Sequence, residues 1–289
     1  MMEAFMAHAS PAAADGRARS PGRPRRAGWR LGLLVLAVLL PGSVLAQSAD
    51  TEPCTGLVSR RDALIQPAAA VQAGEVGITF IGHATFFIES PGGVKIATDY
   101  NDVYPLPAVP DVVTMNHAHS THFTNQPDPR IKFVLKGWDR PGVAARHDLS
   151  VGDVRIRNVP TNIRNWGGGD EEFGNSIFVF EVGGLCVAHL GHLHHTLLPA
   201  HLKQLGRIDV LLVPVDGSYT MDVEGMVEVM QAIHAPLMIP MHIFGEGTLQ
   251  RFLARVGQTF PVKRAGSPEL VVSRQTLPPA PEILVLPGR

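Results

Sequence analysis

Apolar runs broken by turn signals govern the chain from about residue 76 onward. VGITFIGHATFFIES (76–90) and GVKIATDY (93–100) are rich in β-branched and aromatic residues. A Pro-Gly-Gly turn separates them, which predicts paired strands. DVVTMNHA (111–118), IKFVLKG (131–137) and VGDVRIRNV (151–159) read as further strands, and SIFVFEVGGLCVAHL (176–190) as a hairpin about Gly-Gly. The pattern then changes period. LLPAHLKQLG (197–206), MDVEGMVEVMQAIH (221–234) and GTLQRFLARVG (247–257) carry apolar residues at helical spacing, with Asp222 as an N-cap. IDVLLVPV (208–215) and APLMIPMH (235–242) between them read as buried strands. Hairpins first and strand–helix alternation later predict one α/β domain of layered sheets. Its expected extent is residues 76–267, after an arm at 47–75 and before a proline-rich tail at 268–289 that wraps the surface.

Composition adds a leader. The chain of 289 residues has a net charge of −1, but residues 1–46 hold six arginines and two acids, a net of +4. That leaves −5 on the remainder, which gives no basis for nucleic-acid binding. RPRRAGWR runs into the ten apolar residues LGLLVLAVLL and then PGSVLA. A basic segment, a short apolar segment and small residues before a cut are the layout of a secretory signal, here cleaved after Ala46. Ten apolar residues are too few for a bilayer span, which needs about 20. The expectation is a periplasmic or secreted protein with no stable membrane span once the signal is removed. Two cysteines, Cys54 and Cys186, lie beyond that cut. Export permits a bridge between them, and a buried free thiol at Cys186 is the alternative.

Candidate chemistry rests on histidine. The 13 histidines concentrate where strands are expected to end: His117, His119 and His122 in NHAHSTHF, His189, His192, His194 and His195 in VAHLGHLHHTL, and His242 after LMIPM. Loops at strand ends are where α/β folds build sites, and imidazole is the commonest ligand for zinc and its neighbours. In an extended segment, the H-x-H spacing puts both rings on one face. His147, His201 and His234 lie elsewhere and read as ordinary polar positions. There is no G-x-S-x-G elbow to suggest a serine nucleophile. NWGGGDEEFGN (165–175) reads as an acidic loop near the mouth of the site.

These motifs, in this order over about residues 76–257, resemble the metallo-β-lactamase superfamily, in particular its ascorbate-phosphate lactonase-like branch. ITFIGHATFFIES looks like the opening hairpin and GVKIATDY the next strand. NHAHSTH stands where the family has H-x-H-x-D-H, and FGNSIFVFEVGGLCVAHLGHLHH stands for its glycine–asparagine strand and following loop. IDVLLVPVDGSYTMD and PLMIPMH match the later strands. The resemblance implies a four-layer αββα sandwich with a metal site along one edge of the sheets. Three departures stand out: Thr121 and His192 occupy aspartate positions, and Asn162, Ile163 and Arg164 stand where a further histidine is usual.

Losing two carboxylates removes the negative charge that holds two dications together. The expectation is therefore one ion, most simply zinc with iron or manganese as alternatives, held by some combination of His117, His119, His122, His192 and His242. Asp99 and His189 are candidates for orienting those ligands. Thr121 is a candidate for hydrogen-bonding an activated water, and Asp216 for replacing the lost carboxylate. The implied activity is metal-dependent hydrolysis, by a metal-bound hydroxide, of a small ester, lactone, amide or phosphoester. The alternative is a non-catalytic metal-binding or interaction protein on the same frame.

Overall fold

The computed structural model describes residues 71–165 and 167–288; the leader, Cys54 and most of the expected arm lie outside them. The described chain runs β1 (Glu75–Gly82), β2 (Thr85–Glu89), β3 (Lys95–Ala97), β4 (Val112–Met115), β5 (Phe133–Lys136), β6 (Asp148–Val151), β7 (Val154–Arg164), β8 (Asp170–Val182) and β9 (Leu185–His189). It continues with α1 (Pro199–Leu205), β10 (Val210–Pro214), α2 (Val223–Ile233), β11 (Leu237–Met241), α3 (Glu246–Val256), β12 (Val262–Arg264), β13 (Glu269–Ser273) and β14 (Glu282–Val285). One sheet has the order β13-β1-β2-β3-β4-β5 and the other β12-β14-β11-β10-β9-β8-β7-β6. The second sheet is antiparallel from β6 to β9 and parallel from β9 through β10, β11 and β14 to β12.

Strand alternation builds the layers, because successive side chains point to opposite faces. On β8, Phe178 and Phe180 join Ile78, Phe86 and Ile96 of the facing sheet in one fully buried cluster between the sheets. Their neighbours Ile177 and Val179 face the other way, into a cluster with Met226 and Met230 of α2 and Phe252 of α3. Asp222 caps α2, its side chain accepting from the amide of Gly225 at 2.9 Å. The outer face of the six-stranded sheet (Phe87, Val113, Met115) is covered by Tyr100, Tyr104, Leu106 and Ile131 from irregular segments. The result is an α/β sandwich whose described helices all lie over the eight-stranded sheet, with coil as the fourth layer.

Two expectations need correction. The tail is not a surface wrap: β13 pairs with β1 in one sheet and β14 lies between β11 and β12 in the other. The proline content masked two short apolar runs, ELVVS and EILV, that close both sheets. The domain therefore extends past residue 267. NWGGGDEEFGN is more than half strand: Arg164 pairs with Asp170 and Ile163 with Glu171, and among the described residues the hairpin turn is made by Asn165 and the three glycines.

A chain ending at Ser267 is expected to lose cooperative folding, because it uncovers a sheet edge on each side of the core. A sharp thermal transition by circular dichroism, at or near that of the full chain, would contradict this placement.

Candidate metal centre

The loops that follow β4, β9, β10 and β11, together with the β1–β2 turn, meet at one edge of the sandwich. They are sewn together by backbone: Asn116 accepts from Ser176 at 3.1 Å, and His83 accepts from the amide of His242 at 2.6 Å. Gly191 keeps its turn at a φ of 64°, where a Cβ would lie 2.5 Å from Asn175 Oδ1 and 2.6 Å from Asn116 Nδ2. Only glycine fits there, and it lets Asn175 Oδ1 receive the amide of His192 at 2.8 Å.

Two buried carboxylates set the histidine tautomers. Asp99, fully buried, accepts from His122 Nδ1 and from the amide of Asn116 at 3.0 Å. Burial opposes its ionisation most strongly, yet His122 and the amide together hold its pKa below the ordinary carboxylate value. Asp216 is likewise held low against burial, by His242 and by the turn that follows. Its Oδ1 accepts the amides of Ser218 at 2.9 Å, Tyr219 at 2.5 Å and Thr220 at 3.1 Å, and its Oδ2 the Thr220 hydroxyl at 2.5 Å. His242 Nδ1 lies 3.0 Å from Oδ2. This contact is not an aligned hydrogen bond, but a bare lone pair at that distance from a carboxylate would be repelled, so Nδ1 keeps the proton.

The consequence is a converging set of lone pairs. With Nδ1 protonated, His122 and His242 both present bare Nε2 atoms, and these lie 3.2 Å apart. His192 Nε2 donates to the carbonyl of Tyr219 at 3.1 Å, so Nε2 carries the proton and Nδ1 is bare, 3.1 Å from His122 Nε2. Lone pairs facing one another at such distances repel unless a cation sits among them. Metal–nitrogen bonds of about 2.0–2.1 Å put two ligands of a tetrahedral ion roughly 3.3 Å apart, so the His122–His242 and His122–His192 separations each suit a pair of ligands.

A fourth histidine joins them. His83, in the β1–β2 turn, has left-handed backbone at φ 51°, and its buried Nε2 has no hydrogen-bond partner. Ligand nitrogens of His83, His122 and His242 all lie within 4.8 Å of one another. Its ring centre is 4.1 Å from that of His242. The sequence reading passed over His83; a polar residue at the turn of an otherwise apolar hairpin was the available signal. Burial, then His242 and His122, hold its pKa down at about 3.

The remaining expected residues occupy the surroundings. His117 pairs with Asn175 in an isolated antiparallel bridge and the chain bends from Ala118 through His119; the two rings are parallel with centres 6.3 Å apart. His117 Nδ1 donates to Gly174 O at 2.7 Å, and burial lowers its pKa to about 4. Its ring centre is 5.2 Å from that of His192. Thr121 is engaged with His119, its hydroxyl 3.0 Å from Nδ1. Asp216 stands behind His242 with both oxygens occupied, so its geometry is that of an orienting group. His189 touches none of the converging nitrogens. Its Nε2 donates to Ala84 O at 2.7 Å and its Nδ1 accepts the Gly191 amide at 3.0 Å, which pins the β1–β2 turn to the loop after β9. His194 accepts the amide of Arg164 at 2.7 Å, and His195 lies 3.3 Å from Asp170.

A two-sheet sandwich with histidines gathered at one edge, backed by buried carboxylates, defines a metalloprotein of the metallo-β-lactamase type. The model of the beta-lactamase superfamily domain matches residues 77–242, and the chain belongs to that superfamily. It is 30% identical over 180 residues to a UPF0173 metal-dependent hydrolase of Methanoculleus marisnigri, covering 57% of this chain and 80% of the relative. It is 29% identical over 266 residues to one of Anaeromyxobacter dehalogenans, covering 78% and 88%. Among solved structures, a Thermotoga maritima protein put forward as a zinc-dependent hydrolase of this superfamily is similar at 32% identity and a TM-score of 0.53. That match covers 74% of this chain and all of that one.

Two outcomes follow. Asp99→Asn is expected to weaken metal affinity about 10- to 100-fold, the usual effect of removing an orienting carboxylate, read by competition with a chromogenic chelator; unchanged affinity would show that Asp99 does not set the His122 tautomer. In the metal-free protein, His83 and His117 cannot take protons that the unfolded chain takes below its ordinary histidine value of about 6.5. Their contribution to stability is therefore complete above that value and is lost as pH falls toward about 4 and then about 3. The melting temperature should drop steadily from neutral pH downward, and a flat profile would contradict the assignment.

Proposed function

We propose that the protein is an exported metal-dependent hydrolase that holds one divalent ion, zinc by preference, among His122, His192, His242 and His83. The convergence of bare nitrogens at 3.1 and 3.2 Å is the observation that carries this reading. Neutral imidazoles suit zinc better than they suit hard ions such as manganese. The leader at residues 1–46 supports export, and among the described residues no helix is long and apolar enough to cross a membrane. The relatives named as metal-dependent hydrolases support the reaction class.

A bound ion supplies Lewis acidity to the reacting bond and to a water. The chain's own residues do the rest. Asp99 and Asp216 hold protons on His122 Nδ1 and His242 Nδ1, so in the neutral rings the lone pair is on the opposite nitrogen, Nε2. His192, tied through Nε2 to the Tyr219 carbonyl, stands where two-metal relatives carry an acid and cannot bridge two ions, having one lone pair to offer. His117 and His119 flank this set on the side of His192. With Nδ1 donating to Gly174, His117 has its lone pair on Nε2 and can accept a hydrogen bond from a water, while its lowered pKa makes it a weak general base. The substrate is a small ester, lactone, amide or phosphoester. A second reading, metal binding without turnover, is favoured by one observation: both buried carboxylates stand behind histidines, leaving Thr121 and His117 as the polar groups in front.

The zinc-loaded chain is expected to cleave at least one member of a chromogenic ester, lactone and phosphodiester panel, and a chelator should abolish turnover. His122→Ala should lower zinc affinity by at least about tenfold. Tight stoichiometric zinc with no turnover on any panel member would select the second reading; no zinc at all would defeat both.

A further inference from the structure

Tyr219 and Phe244 are 58% and 56% exposed, yet they are neither isolated nor loose. Their rings lie 5.2 Å apart, and the Phe244 ring is 5.1 Å from that of His242 and 5.4 Å from that of His83. Tyr219 is tethered to the metal centre through its backbone, and Phe244 lies against it through ring contacts with His242 and His83. The Tyr219 carbonyl receives His192 Nε2 at 3.1 Å and its amide donates to Asp216 at 2.5 Å, while Phe244 follows His242 by two residues. Single exposed apolar side chains are ordinary. Two aromatic rings held in contact at the rim of a polar centre form a rigid apolar surface that stays hydrated until something covers it.

We propose that Tyr219 and Phe244 bind the apolar part of the substrate, an aryl or alkyl group attached beside the bond that is cleaved. This rests on the metal-centre reading above. The occupant follows from position: a molecule with its reacting group among the histidine nitrogens has its neighbouring substituent at the distance of the Phe244 ring. Charge narrows the class. The β7–β8 hairpin reaches this rim, where Arg164 donates to the Thr220 carbonyl at 2.6 Å. That hairpin exposes three acids, Asp170, Glu171 and Glu172, against the one cation Arg164, a net negative charge that disfavours polyanions such as nucleotides. The substrate class is therefore a neutral, apolar-substituted ester, lactone or amide. The backbone tether of Tyr219 and the ring contacts of Phe244 preorganise the platform, which lowers the cost of ordering it around a bound ring.

Calorimetric titration of the zinc-loaded full chain with acetohydroxamic acid and with benzohydroxamic acid separates the two claims. Both probes carry the same metal-binding group and differ in a methyl against a phenyl. The expected result is phenyl binding at least about tenfold tighter, a difference of about 1.4 kcal/mol. The Tyr219→Ala/Phe244→Ala double variant should erase that increment and leave acetohydroxamate affinity within about twofold. Equal affinities in the unaltered chain, or an increment that survives in the double variant, overturns the platform alone. Absence of acetohydroxamate binding overturns the metal-centre reading and the platform with it.

Discussion

The contact between Asp99 and His122 is the constraint on which the site depends. A carboxylate buried without partners would take up a proton, since desolvation penalises its charge. Asp99 stays ionised because an imidazole N–H and a backbone amide both point at it. In return it fixes which nitrogen of His122 carries the proton, and so aims a lone pair at His192 and His242. Asp216 repeats the arrangement behind His242, saturated by the Ser218–Thr220 turn. Two negative charges one residue removed from the centre also balance a dication held by neutral ligands.

The sandwich exists, from this viewpoint, to bring chain segments distant in sequence to one point. Asp99 and His122 come from the six-stranded sheet, whereas His192, Asp216 and His242 follow strands of the eight-stranded sheet. His83 enters from a turn whose backbone receives His242. His189, fully buried, holds that turn against the loop after β9 without touching the converging nitrogens. Each of these joints is specific to geometry as well as residue type. Gly191 shows it, since a methyl there would press on both Asn116 and Asn175.

Much of this was legible in the sequence, and the failures have physical causes. Periods of two and of about 3.6 located the strands and helices, because layers bury one face at a time. Family motifs pointed to His117, His119, His122, His192 and His242, and the fold gathers all five rings at one edge. Proline density hid β13 and β14, since short closing strands need few residues and carry little pattern. The H-x-H argument for His117 and His119 assumed extended backbone through both residues; the chain is bridged at His117 and bends after it, yet the two rings stay parallel. His83 was hidden because its partners lie far along the chain: only the folded register brings residue 83 beside residue 242. For Asp216, a carboxylate in sequence near a site could equally touch an ion or stand behind a ligand, and only geometry distinguishes these.

The most direct test is elemental analysis joined to X-ray absorption on the protein purified without a histidine tag and without chelator. One tightly held ion per chain is expected, with a nitrogen-rich shell showing the scattering of several imidazoles. Two ions per chain, or a shell dominated by carboxylate oxygen, would contradict it.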